Sequence, residues 1–269
     1  MESLFGREGF YESLQFRFNR LKKNDANIEE VYGGLIYQQL FNSGFLANPN
    51  NLSFFMYFDG ISLFKSSCFQ LWPVYLSIEL KYRLRTKKEN IILAGLWFGK
   101  SKPNPNIFLQ PIHDTLSSLE TDGVELRLHN GERVRVRAQL LGAVGDMPAK
   151  SAFMRFTQYN GAFSCFSCMS HGGRYDVGKT SVQVYPYSRN IELRSNDDVA
   201  DFARQAVIAR QNDPEATVYG VKGPSLLFVM LLSLILCCPI DIMHGVFLGV
   251  MKTLMNLWFD SQYSTFPFS

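Results

Sequence analysis

Phe54-Phe55-Met56-Tyr57-Phe58-Asp59-Gly60 is the stretch from which the rest of the chain can be read. Its aromatic residues favour a pleated, half-buried strand, and the strand carries a carboxylate. A carboxylate among apolar strand residues costs free energy unless a cation, a proton or a hydrogen-bond donor compensates it. A second acid stands in Gly145-Asp146-Met147-Pro148, and a thiol pair follows in Cys165-Phe166-Ser167-Cys168. Two such acids with a cysteine pair suggest a metal-dependent site, which points to phosphodiester chemistry.

The strand is one of three aromatic and β-branched runs, 52–64, 69–79 and 90–98, each expected to be a strand. Asn48-Pro49-Asn50-Asn51 separates them from a mostly helical lead-in over 1–50, where Val31, Leu35, Ile36, Leu40 and Phe41 fall near helical spacing. After Pro103 and Pro105, the segment Ile107 to Leu119 carries an apolar stripe suited to packing on a sheet. Asn130-Gly131 predicts a hairpin turn whose second arm, Arg133 to Val144, runs to Asp146. Pro148 suits the first turn of a helix over roughly 148–158. Three strands, a helix, a strand and a helix, with one acid on the first strand and one at the end of the fourth, is the order of the RNase H-like fold. That is an α/β (α+β) arrangement, reached here by analogy of order alone.

The expected core therefore spans 51–165. Residues 166–269 read as an insertion with a Cys-x-x-Cys pair and a helical segment. Within it Asn196 to Arg210 is helix-compatible, with Asp197-Asp198 near the positive helix end. Asp241 to Phe259 is expected to be a helix carrying His244.

With 269 residues, 46% hydrophobic and 19% charged, the chain is long enough for one large or two modest domains and is not a disordered tail. A net charge of +3 is too small to argue for nucleic acid unaided. Residues 1–8 lack the apolar core of a signal peptide. Five cysteines, with one close pair, fit a reducing compartment and metal binding better than a disulfide framework. The longest apolar run, Leu226 to Cys238, falls short of the roughly 20 residues that span a bilayer. It reads as buried core, and no membrane partner is expected.

Each constellation has a plainer reading. Asp59 and Asp146, on elements that would be neighbours in such a sheet, suit Mg²⁺ or Mn²⁺, but Asp59-Gly60 also suits a turn and Asp146 a helix cap. Cys165 and Cys168 have the spacing of half a Zn²⁺ site, or are two small residues of a surface loop. Asp241 and His244, three apart on a helix, suit a phosphate or ligand contact, or are an N-terminal acid and a satisfied histidine. Lys81, Arg83, Arg85, Lys87 and Lys88, with Tyr82, could track a DNA backbone or form a solvated loop. Arg133, Arg135 and Arg137 share one strand face, which either lines a nucleic-acid groove or is wet.

Taken in order, these blocks resemble the transposase domain of CACTA (En/Spm-like) DNA transposons and their animal relatives. The resemblance rests on Asp59-Gly60 with 64–67, Leu71 to Leu76, Lys87 to Gly99, Asp146-Met147-Pro148-Ala149-Lys150, Tyr159-Asn160-Gly161 with the cysteine pair, Val221-Lys222-Gly223-Pro224-Ser225, and Asp241 to Lys252. It covers about residue 50 to the C-terminus. It implies a DDE/D recombinase that cuts DNA at transposon ends and transfers the freed 3′-hydroxyl, acting in the nucleus as a homodimer. By position, Asp59 and Asp146 match the first two catalytic acids, His244 the histidine near the active site, and Cys165 with Cys168 the zinc-binding pair.

The family's third acid and its zinc-binding histidine pair lie downstream of the Met-His segment, and neither Glu192 nor Glu215 falls where the third acid belongs. A truncated or decayed copy is therefore expected, incomplete as an enzyme. Leu226 to Cys238 fits the family pattern poorly, as a frameshift or misread intron would. The competing reading is a domesticated DNA- or protein-binding module that keeps the fold without catalysis.

Overall fold

The computed structural model describes all residues except 22–23, 25–28, 64–67, 178–179 and 260–269. The expected block at 64–67 lies outside the described residues. The lead-in is helical in short pieces: α1 (Glu2–Phe5), α2 (Phe10–Leu14), α3 (Phe16–Asn19), a 3₁₀ turn at Val31–Gly33, and α4 (Leu35–Asn42).

A mixed sheet follows. Strands β1 (Leu52–Phe58), β2 (Ile61–Ser62) and β3 (Gln70–Ile78) form one antiparallel hairpin, in which Phe58 lies opposite Val74 and Ile61 opposite Leu71. Asp59 and Gly60 interrupt the first arm without shifting this register. Gly60 is required there, because a Cβ would stand 2.5 Å from the Trp72 ring. After α5 (Tyr82–Arg85), β4 (Ile91–Gly99) pairs with the other edge of β3.

Helix α6 (Pro105–Thr121) then crosses one sheet face. It starts two residues before the apolar stripe, because the Asn104 side chain accepts the Asn106 and Ile107 N–H groups and Pro105 occupies the first turn. Phe54, Met56, Phe58, Val74, Leu76, Leu109, Ile112 and Leu116 are buried in the resulting core.

The Asn130-Gly131 hairpin forms as expected from β5 (Val124–Arg127) and β6 (Arg133–Val136). Its second arm is not continuous to Val144. The chain leaves the hairpin at Arg137, and β7 (Ala138–Val144) joins the main sheet parallel to β1. A bulge separates Phe54↔Leu140 from Phe55↔Gly142. The extra residue, Leu141, packs in a second cluster with Tyr32, Tyr37, Leu40 and Leu46 of the lead-in. The order across the sheet is β4-β3-β1-β7.

Helix α7 (Met147–Phe153) ends earlier than expected and stacks Phe153 on Phe58, with ring centroids 4.3 Å apart. A separate hairpin, β8 (Gly173–Val177) with β9 (Thr180–Val184), precedes α8 (Asn196–Ala209) and α9 (Leu226–Met230). Helix α8 opens on a capping box between Ser195 and Asp198. Leu227, Leu231, Leu234, Cys237 and Cys238 enter the same core as the sheet, but Val229, Leu232 and Leu236 of the same apolar run are exposed, so the run is buried only in part. The last helical segment is a π-helix over Ile242–Met251 continuing into α10 (Lys252–Phe259). By length and composition Ile242–Phe259 could cross a membrane, and it has no buried residue, but those properties alone do not establish a membrane partner.

The sheet face away from α6 carries a groove of about 770 Å³ lined by Phe55, Tyr57, Tyr75, Ile91, Leu93 and Glu79. Glu79 and Arg85 pair at 2.5 Å, and Arg85 also meets Glu30 at 3.1 Å. The Glu79 carboxylate holds Arg85 above its ordinary value despite burial. Glu79 lies deeper and loses more to desolvation than Arg85 returns, so its carboxyl is pushed up from 4.5 to about 7.

In the fold Glu79 thus keeps a proton that the unfolded chain gives up. The stability it contributes is complete below about pH 4.5 and is lost as pH rises through about 7. Denaturant titrations across this range are expected to show that slope in the wild type and a flatter one in Glu79→Gln. Equal slopes in both would contradict the assignment.

Candidate active site and cysteine knuckle

Parallel pairing sets the geometry. Tyr57 lies opposite Val144, the last pair of the ladder, so the register carried two residues past it brings Asp59 to Asp146, and the Asp146 charge acts on Asp59. The strands approach closely here: a Cβ on Gly145 would stand 2.6 Å from the Phe58 ring and 2.9 Å from its carbonyl oxygen. Asp146 caps α7 by accepting the Ala149 N–H at 2.7 Å, and Asp59 accepts the Gly60 N–H at 2.7 Å. Both plainer readings, cap and turn, therefore describe real hydrogen bonds, and neither uses every carboxylate lone pair.

Burial raises the Asp59 carboxyl above its ordinary value. The Gly60 N–H opposes that shift, Asp146 adds to it, His244 opposes it and Asp241 adds to it. The same field reaches His244, whose Nδ1 lies 2.5 Å from Asp241 Oδ2. The hydrogen bond to Asp241 raises the imidazole's value most; burial opposes, and the charges of Asp241, Asp146 and Asp59 add to the rise. The structure thus brings Asp59, Asp146, Asp241 and His244 to one end of the sheet. Among the described residues, no three His, Cys, Asp or Glu side chains stand close enough to ligate a single ion.

The basic residues lie elsewhere. Lys81, Arg83, Arg85, Lys87 and Lys88 sit in the β3–β4 connection, beyond the end of β3 that pairs with Phe54, roughly 20 Å along the strands from Asp59. Arg85 is committed to Glu79 and Glu30. Arg133, Arg135 and Arg137 alternate with buried Val134 and Val136 as expected, but they precede Ala138, which pairs with Leu52 at that same far end. Arg133 pairs with Glu125, while Arg135 and Arg137 donate to the Asp122 and Glu120 carbonyls.

Cys165 and Cys168 form a tight knuckle. The Ser167 and Cys168 N–H groups point at the Cys165 sulfur, and the Ser170 N–H at the Cys168 sulfur. Burial and the bond to Cys168 push the Cys165 thiol up. Burial works the same way on Cys168, but hydrogen bonds with Ser170 and Cys165 outweigh it and hold that thiol low. His171, three residues after Cys168, packs edge-on against Phe163, with ring centroids 4.9 Å apart.

Two braces were not anticipated from sequence. Arg194 is buried and donates Nε to the Cys165 and Cys168 carbonyls, both at 3.0 Å, and Nη2 to the Tyr219 carbonyl at 2.8 Å. Lys150, only 2% exposed, donates Nζ to the Pro239 carbonyl at 2.9 Å and lies 4.9 Å from the Phe166 ring centroid. It thereby ties the helix capped by Asp146 to the segment leading into Asp241 and to the cysteine knuckle. Burial lowers its ammonium, partly opposed by Cys238 and Cys165, and among the described residues no carboxylate pairs with it. One sequence signal was available: Lys150 falls in the first turns of a helix otherwise made of small and apolar residues.

The family model described as Transposase family tnp2 matches residues 37–207. No curated protein matches the chain.

Lys150→Met removes a buried charge while keeping side-chain volume. The global unfolding free energy should hold or rise, while amides 240–245 exchange at least about 10-fold faster as that segment loses its tether. A loss of more than about 2 kcal/mol in global stability with unchanged exchange at 240–245 would show that Lys150 supports the core rather than the segment.

Proposed function

Since the chain belongs to the tnp2 transposase family, we propose that it is a DDE/D transposase of the CACTA type, related to the animal members. Its task is to cleave DNA at transposon ends and join the freed 3′-hydroxyl to a second phosphodiester. The observation that carries this reading is the parallel β1–β7 register, which sets Asp59 against Asp146 at adjacent strand ends. The β4-β3-β1-β7 order, with only the last pair parallel, supports an RNase H-like core.

The donor set suits a hard divalent cation such as Mg²⁺ or Mn²⁺: it consists of carboxylate oxygens alone, and their mutual repulsion on Asp59 is what a cation relieves. When bound, such an ion supplies Lewis acidity at a phosphoryl oxygen. Asp59 and Asp146 would hold it from the two strand ends. Asp241 fixes the His244 ring through Nδ1, so Nε2 is the atom left to hydrogen-bond a phosphate oxygen.

The Cys165–Cys168 knuckle, with backbone N–H groups directed at its sulfurs, suits one half of a structural Zn²⁺ site. The far-end cations of 81–88 and 133–137 would meet DNA that flanks the cleaved phosphate. Two transposon ends call for two copies of the chain, hence a homodimer, and the substrate places it in the nucleus.

Nicking of a supercoiled plasmid with Mg²⁺, by a form of the protein that supplies the third acid the family pattern requires, tests the reading. Asp59→Asn and Asp146→Asn should each slow nicking on the order of 10³-fold. Asn caps a helix as well as Asp, so Asp146→Asn should stay within about 0.5 kcal/mol of wild-type stability, whereas Asp146→Ala should lose about 1 kcal/mol. Nicking that survives both Asn variants would remove these carboxylates from the chemistry. DNA binding without any nicking would favour the non-catalytic alternative.

A further inference from the structure

We infer that Lys102, Arg155, Arg210 and Lys222 form a binding site for the phosphate backbone of nucleic acid, adjoining the acid end of the sheet. None of the four was among the basic residues singled out from sequence. The inference rests on the proposed DNA substrate and extends it to a particular surface.

Arg155 follows α7 by two residues and is held in the left-handed region, with φ of 62°. Its carbonyl accepts the Lys222 N–H at 2.7 Å, which fixes the two residues side by side. Its buried Nε has no hydrogen-bond partner among the described residues, and no carboxylate there pairs with its guanidinium. Gly223 leaves room beside it: a Cβ at that position would stand 3.7 Å from Arg155 Nη2.

The Asn106 side chain donates to the Pro224 carbonyl at 3.0 Å and accepts the Leu226 N–H at 2.9 Å. These bonds bring the segment after Lys222 against the start of α6, four residues from Lys102. Arg210 spends one Nη1 bond on the Ala216 carbonyl at 3.1 Å. Burial lowers the Lys222 ammonium; Glu215 opposes that, and Arg155, Arg210 and Lys102 deepen it. Burial and then Arg210 likewise lower Arg155. Arg155, Arg210 and Lys102 thus repel Lys222, and Arg210 repels Arg155, with Glu215 as the one carboxylate among the charges acting on Lys222; like charges gathered in this way concentrate field for an anion.

A polyanionic backbone fits better than a single small anion, because the cations are spread along a surface that leads to the acids. Lys102 Nζ lies 5.7 Å from the Trp72 ring centroid, and that ring packs against Gly60 beside Asp59. The nine residue steps from Asp146, which caps α7, to Arg155, two residues past its end, span roughly 13 Å at helical rise, about four base-pair steps of duplex.

Fluorescence anisotropy of a labelled DNA duplex with the whole chain, in EDTA and from about 50 to about 200 mM NaCl, tests the site. The triple variant Lys102→Gln/Arg210→Gln/Lys222→Gln should bind more weakly, and the slope of log K against log salt should shrink by about 0.9 for each phosphate no longer neutralised. Its melting temperature should hold or rise, since like-charge repulsion is relieved. Lys102→Gln alone, at an exposed side chain, should reduce the slope by about 0.9 and guards against misfolding of the triple variant.

An unchanged slope in both variants, no duplex binding by the wild type, or preferential binding of polyglutamate over duplex would each overturn the inference. Because no divalent cation is present, the outcome is separable from the nicking test. Loss of slope with nicking insensitive to Asp59→Asn and Asp146→Asn would retain this site and reject the catalytic reading; the opposite pattern would reject this site alone.

Discussion

Parallel pairing of β1 with β7 is the constraint on which the rest of the structure depends. A parallel neighbour requires a long return path, and β3, β4, α6 and the β5–β6 hairpin fill it. The join is tight enough to exclude side chains. At Gly142 a Cβ would stand 2.5 Å from the Phe55 ring, and at Gly145 it would meet Phe58. The bulge at Leu141 matters as much. Leu52 pairs with Ala138, and continuing that register would set Asp59 opposite Gly145; the one-residue shift after Phe54 sets it opposite Asp146 instead. The same extra residue sends Leu141 into the cluster with Tyr32 and Leu40, so acid alignment and docking of the helical lead-in share one cause.

Around that pair, buried cations hold distant segments through carbonyl oxygens rather than through ion pairs. Lys150 reaches Pro239, and Arg194 gathers Cys165, Cys168 and Tyr219. A buried charge satisfied this way does little for global stability. Its effect is positional: Lys150 links the helix capped by Asp146 to the segment before Asp241 and to Phe166 of the knuckle.

Much of this was legible in the sequence. The aromatic run of 54–58 gave β1, the stripe from Ile107 gave α6 to within two residues at each end, Asn130-Gly131 gave the hairpin, and the order of elements placed one acid on the first strand and the other at the end of the fourth. Other features were not local. Nothing in Arg133 to Val144 marks Arg137 as the point where the chain changes partners, since the alternation continues while the neighbouring strand differs. Charge density along the chain drew attention to 81–88, yet antiparallel pairing puts that loop at the end of the sheet away from Asp59. Lys102, Arg155, Arg210 and Lys222 are dispersed in sequence; the backbone bond from Lys222 to Arg155 joins two of them, and the Asn106 contacts bring the segment after Lys222 near Lys102. Arg194 looks like an ordinary surface residue until its carbonyl partners are known, and Lys150 is marked only by the small and apolar residues around it.

The central claim is that Asp59 and Asp146 act as one site, and a double-mutant cycle on Mn²⁺ affinity, read by electron paramagnetic resonance, tests it most directly. If the two carboxylates share an ion, Asp59→Asn and Asp146→Asn should each weaken binding at least about 10-fold, and the double variant should lose much less than the sum of the two free-energy changes. Strictly additive losses, or affinity unchanged by either substitution, would contradict a shared site and leave the two acids as a turn residue and a helix cap.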